Sequence, residues 1–120
     1  MDKIYKWNVH SWAEWLELSK KGYTEIDWNF NCFQNNLTSL KGAPQKVSWN
    51  FECSENWLTS LEGAPKEIGW NFWCGYNKLT NLNNSPKKVW GSFICSYNEI
   101  KSLKWVQKKL KGISIALIIN

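Results

Sequence analysis

A chain of 120 residues carrying a formal charge of +5 is the size of one domain, and it holds no apolar run long enough to span a membrane. All 15 basic residues are lysines, and seven of them, Lys87, Lys88, Lys101, Lys104, Lys108, Lys109 and Lys111, stand near the C-terminus against the single acid Glu99. The positive charge is therefore concentrated at one end, and the rest of the chain is close to balanced.

The first 25 residues read as a helical cap. Ser11 followed three residues later by Glu14 is a capping-box pattern, and Trp12, Trp15 and Leu16 form an apolar stripe at helical spacing. Gly22 supplies a stop. The pattern predicts a helix from Trp12 to about Lys21 that lays its tryptophans over the first coil of the repeats. The one histidine, His10, lies beside this cap and reads as a surface or capping residue.

From residue 26 to 103 the chain repeats itself. Cys32, Cys53, Cys74 and Cys95 stand 21 residues apart, each within a copy of the same text: WNFNCFQNNLTSL, WNFECSENWLTSL, WNFWCGYNKLTNL and GSFICSYNEIKSL. A fixed period of this size predicts a solenoid. Repeats run from Ile26 to Lys46, Val47 to Glu67, Ile68 to Lys88, and from Val89 onward. Alternation along the strand of each unit puts Trp70, Phe72 and Cys74 on one face and Asn71, Trp73 and Gly75 on the other. Stacked coils then place Trp28, Trp49 and Trp70, the phenylalanines 30, 51, 72 and 93, and the four cysteines in a continuous core that no single coil could bury alone. Asn35, Asn56, Asn77 and Asn98 form a second file, whose amides can satisfy main-chain groups where the strand turns away.

Residues 104–120 read as a C-terminal cap with a partial fifth coil. Lys104 to Lys111 suits a short helix or turn, with Trp105, Val106 and Leu110 covering the last complete coil. With one residue inserted, Phe93, Cys95 and Asn98 align with Ile115, Leu117 and Asn120, so Ile113 to Ile119 reads as the closing strand.

These residues carry a resemblance. The core LxLxxNxLxxL of the leucine-rich repeat family is matched by Phe51, Cys53, Asn56, Leu58 and Leu61 and by their equivalents, and the Leu-x-Gly-Ala-Pro turn resembles the short repeats of bacterial effector and bacteriophage proteins. The resemblance implies an α/β solenoid with one parallel strand per coil, an N-terminal capping helix, a C-terminal capping strand, and an extended or polyproline-like segment after the strand turn. Phe and Cys stand where leucine is usual, and Trp28, Trp49 and Trp70 precede the strands. The scaffold alone carries no function.

The chemistry that can be excluded is broad. The cysteines lack a CxxC pair or a nearby histidine, which removes the usual zinc spacing, and inward positions make them small hydrophobes. No Gly-rich phosphate loop occurs, and Glu52 and Glu55 lack a partner for paired-carboxylate work. The expectation is a non-enzymatic chain without metal or cofactor. Reduced thiols with no leader pattern point to the cytoplasm, the host cytoplasm for a phage-encoded chain.

Binding is what remains. On the outward face the file Asn31, Glu52, Trp73, Ile94 turns from polar to apolar along the solenoid, beside the polar file Asn29, Asn50, Asn71, Ser92. Aromatic residues with nothing to bury against are typical interface anchors. The expected protein-docking surface is Trp73, Trp90 and Ile94, rimmed by Asn50, Glu52 and Asn71. Analogy with short phage-encoded repeats narrows the partner to a host defence nuclease or ribonucleoprotein effector, an inhibitor of the anti-CRISPR kind. Two alternatives stay open: nucleic-acid or acidic-partner binding through the seven C-terminal lysines, and a structural subunit that self-assembles into a homo-oligomer. No membrane partner is expected.

Overall fold

The computed structural model describes residues 2–101 and the backbone of residues 116–118. The described residues wind as a parallel β-solenoid of about four turns with one helix among them. Each turn carries two short strands, where one was expected. Strand β1 (Ile4–Tyr5) precedes helix α1 (Trp12–Lys20). The coils then alternate β2 (Glu25–Ile26) with β3 (Phe30–Asn31), β4 (Lys46–Val47) with β5 (Phe51–Glu52), β6 (Glu67–Ile68) with β7 (Phe72–Trp73), and β8 (Lys88–Val89) with β9 (Ser92–Ile94), before β10 (Ala116–Ile118). One sheet runs β1-β2-β4-β6-β8 and the other β10-β9-β7-β5-β3, all in parallel. The extra strand arises because Ile26, Val47, Ile68 and Val89 are each buried and β-branched, and a bend of about three residues separates them from the phenylalanine strand.

Register is strict. Phe30, Phe51, Phe72 and Phe93 are successive partners, fully buried, with ring centroids 5.0, 5.8 and 4.9 Å apart. Burying each contributes about 2–3 kcal/mol, and each ring pair about 1 kcal/mol more. The four cysteines are fully buried in the next file, none of them in a disulfide. Burial pushes the thiols of Cys32, Cys53 and Cys74 up. A hydrogen bond from Cys74 holds Cys95 below the usual thiol range instead.

The tryptophans behave otherwise than the alternation predicts. Trp28, Trp49 and Trp70 stay 47, 42 and 47 % exposed. They do stack, with Trp28 and Trp49 nearly parallel at 6.0 Å and Trp49 and Trp70 edge-on at 6.0 Å, but as a ridge on the surface rather than in the core. The cause is the bend: strand geometry begins only at the phenylalanine, two residues later, so the two-residue parity does not extend back to the tryptophan.

The repeat also begins one turn early. Trp7, Asn8 and Val9 stand 21 residues before Trp28, Asn29 and Phe30, β1 pairs with β2, and Val9 bridges to Phe30. Helix α1 then replaces the remainder of that first coil. Ser11 Oγ accepts from Glu14 N–H at 3.1 Å, while the Glu14 carboxylate reaches back to His10 N–H at 3.0 Å. Trp15 and Leu18 are buried and Leu16 is exposed, because Leu18, three residues beyond Trp15, shares its face. Trp12 and Trp15 meet Phe30 edge-on at 6.0 and 5.9 Å, and Trp15 Nε1 donates to the Gly42 carbonyl at 2.8 Å.

After each Leu-x-x-Leu the chain makes a tight turn, at the Leu-x-Gly-Ala-Pro turn of the sequence. Ala43 N–H donates to Leu40 O at 3.0 Å and Ala64 N–H to Leu61 O at 2.9 Å, with Gly42 and Gly63 at φ of 90° and 92°. A type II turn needs a positive φ at its third residue. The third copy substitutes Asn84 at φ 64°, and asparagine is the residue after glycine that tolerates it.

At the C-terminal end, Leu117 pairs with Phe93 and Ala116 with Ser92. The expected alignment put Ile115 opposite Phe93, so the true register is displaced by two residues. A two-residue shift preserves strand alternation, which is why periodicity could not exclude it. The expected helix or turn at Lys104 to Lys111, with Trp105, Val106 and Leu110, lies outside the described residues.

Candidate functional site: the outward faces of the coils

The asparagines inside the coil ends are framework. Asn56 Oδ1 accepts from Asn35 and Leu37 N–H at 3.0 and 2.9 Å, and its Nδ2 donates to the carbonyls of Cys32 and Cys53 at 3.0 Å each. Asn77 repeats this one coil on, bridging Leu58 N–H with the carbonyls of Cys53, Cys74 and Gly75. Asn98 does the same for Leu79, Cys74 and Cys95. Asn35, at the end of the file, accepts from Trp12 N–H at 2.7 Å and so ties α1 to the solenoid.

A second ladder runs beside the tryptophan ridge. Asn8, Asn29, Asn50 and Asn71 each accept, through Oδ1, the N–H of the residue 21 positions on, at 3.1, 3.0, 3.0 and 2.8 Å, the last from Ser92. Two of the expected rim residues, Asn50 and Asn71, thus hold successive coils together.

Trp73 and Ile94 are register partners on the outward face of β7 and β9, and both are partly exposed. Glu52 pairs with Trp73 on the other side. Burial pushes the Glu52 carboxyl up, against the Ser54 N–H that donates to it at 2.7 Å. Trp90 is more exposed, at 59 %, and it engages the other sheet: its Nε1 donates to Glu67 at 3.1 Å, and the Lys88 ammonium lies 5.7 Å from its ring. The structure therefore brings Trp73, Ile94 and Glu52 together and turns Trp90 toward Glu67 and Lys88. Of the seven C-terminal lysines, Lys87, Lys88 and Lys101 are exposed, and Lys104, Lys108, Lys109 and Lys111 lie outside the described residues.

A groove that the repeat pattern alone does not single out crosses the turns after the cysteine strands. Its volume is about 460 Å³, and its walls are two files one coil in period. Gln34, Glu55, Tyr76 and Tyr97 stand two residues after each cysteine, and Asn36, Trp57 and Lys78 four residues after. These positions differ from coil to coil, but so do those of the Asn31, Glu52, Trp73, Ile94 file, and variation alone does not mark the groove. All four residues of the first wall adopt left-handed backbone, with φ of 52, 53, 52 and 56°, although none is glycine. Tyr76 and Tyr97 stack at 4.3 Å and 14°, and both are more than half exposed, as is Trp57.

Among the described residues no group of three or more metal-ligating side chains occurs, and no helix is long and apolar enough to cross a membrane. Comparison with protein-family models, curated proteins and solved structures finds no match to the chain.

Proposed function

We propose that this chain is a non-catalytic protein-binding module of the short leucine-rich-repeat kind, with α1 and β10 as the caps of its two ends and a reducing cytoplasm as its setting. The docking face is centred on Trp73 and Ile94. The observation that carries the reading is their adjacency: an indole and a branched aliphatic side chain stand in register on an outward sheet face, both part-exposed, beside the desolvated carboxylate of Glu52. Large apolar anchors of this type, bordered by polar groups, are what protein interfaces desolvate. The resemblance to phage-type repeats makes a host defence nuclease or ribonucleoprotein effector the first partner class to try.

The test is affinity purification of the tagged chain from bacterial lysate, with and without nuclease, followed by mass spectrometry. A defined protein retained after nuclease and lost with the double substitution Trp73→Ala, Ile94→Ala is expected. Material removed by nuclease would move the function to Lys87, Lys88, Lys101 and the lysines beyond them in the chain. A concentration-dependent homo-oligomer abolished by the same double substitution would make the face a self-assembly surface.

A further inference from the structure

The corner between the two sheets carries an uncovered aromatic ridge. Trp7, Trp28, Trp49 and Trp70 stand 21 residues apart along it, all exposed, and Trp90 lies one residue before the next place in the file. At about half of the 150–250 Å² that each such ring can bury, the five present on the order of 500 Å² of aromatic surface. That is as large as the patches soluble monomers leave open, and most of the ~800 Å² that each side of a stable dimer buries.

The strand residues just before this corner carry charge in alternation. Glu25, Lys46, Glu67 and Lys88 are successive register partners in β2, β4, β6 and β8, opposite in direction to the buried Ile26 file. Opposite charges on neighbouring strands can serve stacking alone. Here, among the described residues, only Lys46 and Glu67 of the ladder come within ion-pair range, at 3.9 Å, and both side chains reach solvent. An exposed pair of this kind contributes little and is free to exchange partners. Glu67 also accepts from the Trp90 indole N–H, and the Lys88 ammonium lies against the Trp90 ring, so ladder and corner tryptophans share one surface. Asp2 stands beside Glu25, and Lys87 precedes Lys88 in the chain, so the ladder is acidic at one end and basic at the other. Lys6 and Asp27, one coil apart in the bend, offset each other.

An alternating series of four is complementary to its own reversal. A two-fold axis lying in the interface at right angles to the solenoid axis opposes each file to itself, reversed. Glu25 then meets Lys88 of the second copy, and Lys46 meets its Glu67. The same operation sets Trp49 against the second copy's Trp70, and Trp28 against its Gly91, where the ridge has no side chain. Sliding by one coil in either direction sets Lys46 against Lys46 or Glu67 against Glu67, so charge specifies a single register.

We propose that the chain forms a two-fold homodimer through this corner, the solenoids antiparallel, with Trp49 and Trp70 of both copies at its centre. Sedimentation equilibrium of the full chain between about 1 μM and 1 mM is expected to show a monomer–dimer transition. Trp49→Ala with Trp70→Ala should weaken association by about tenfold or more, while Trp73→Ala with Ile94→Ala leaves it unchanged. Glu25→Lys and Lys88→Glu test the register. Either alone opposes like charges twice across the axis and should weaken the dimer by about tenfold. Mixed in equal amounts, the two variants oppose unlike charges at both places and should form a heterodimer of wild-type affinity. Circular dichroism checks that each variant is folded, and the surface charge pair carries the test if removing the tryptophans unfolds the chain. A chain that stays monomeric at ~1 mM overturns the proposal, and flotation of that monomer with phosphatidylcholine vesicles would assign the ridge to a lipid surface instead. So does a dimer indifferent to the corner tryptophans, one lost with Trp73→Ala and Ile94→Ala, or one whose charge variants are not rescued by mixing.

Discussion

The side-chain amide of Asn77 reaches back one coil to the carbonyl of Cys53 at 3.1 Å, while its oxygen takes the N–H of Leu58 at 3.0 Å. One buried side chain thus closes the turn after two successive cysteine strands. Asn77→Ala leaves Leu58 N–H and up to three carbonyls without their partner in a site that water does not reach, at about 1–3 kcal/mol for each group left unsatisfied. The expected loss is about 3 kcal/mol, with partial relaxation, read as a lower urea midpoint. Asn50→Ala, on the part-exposed ladder where water can replace the amide, should cost about 1 kcal/mol. Equal losses at the two positions would contradict this division.

The buried thiol file makes stability depend on alkaline pH. Burial raises the thiols of Cys32, Cys53 and Cys74 above their unfolded value of about 8.5. Above that pH the unfolded chain has released protons the native chain keeps, so stability is full below it and falls as pH rises toward the native values. Each such thiol steepens the fall by about 1.4 kcal/mol per pH unit. Cys95, lowered by its bond from Cys74, has the opposite sign. Urea melts of the wild type and of Cys53→Ala between pH 8 and 10 check this: the variant should show the shallower decline, whatever its starting stability.

Much of this fold was legible in the sequence, because a 21-residue period constrains stacking directly: the phenylalanine, cysteine and Asn56-type files follow from it without a propensity argument. What failed was local. Trp28, Trp49 and Trp70 read as core because parity was carried through a bend, and no pattern of polarity marks where a two-residue strand begins. The early turn at Trp7 and Asn8 was hidden by Val9 and His10, which replace the phenylalanine and asparagine of the copy at Phe30 and Asn31, although the Trp-Asn pair stood at the right distance. The second strand escaped notice because each copy contributes only one buried residue to it, Val47 in the second coil. On the candidate site, Trp73 and Ile94 could be brought together from register alone. The groove needed the turn geometry, since left-handed backbone at Tyr76 cannot be inferred from tyrosine.

Left-handed backbone at Gln34 gives a stability prediction of opposite sign to most substitutions. Gln34→Gly removes the clash of Cβ with the carbonyl, worth about 1–2 kcal/mol, and loses about 0.5–1 kcal/mol through added freedom of the unfolded chain. Its one side-chain bond, to Glu55, is exposed and contributes little. A net gain of about 0.5 kcal/mol is expected, seen as a rise in the urea midpoint. Gln34→Val should move the midpoint down, since a β-branched side chain is least tolerated there.

Glycines at Gly69 and Gly42 separate two reasons for the residue. A Cβ on Gly69 would run into the Ser48 carbonyl oxygen of the preceding coil, and backbone cannot retreat without shifting the β4–β6 register. At Gly42 nothing lies within 4 Å, but φ is 90°. Gly69→Ala therefore overpacks a coil-to-coil contact and should cost about 2–3 kcal/mol, whereas Gly42→Ala strains one turn and should cost about 1 kcal/mol. The two also differ in what they disturb. Gly69→Ala acts at the step from Trp49 to Trp70, so it should alter the near-ultraviolet dichroism of that edge-on pair, while Gly42→Ala leaves the signal intact. A Gly69→Ala variant with wild-type stability and an unchanged spectrum would mean that the Ser48 backbone of the preceding coil leaves room for a methyl group at residue 69.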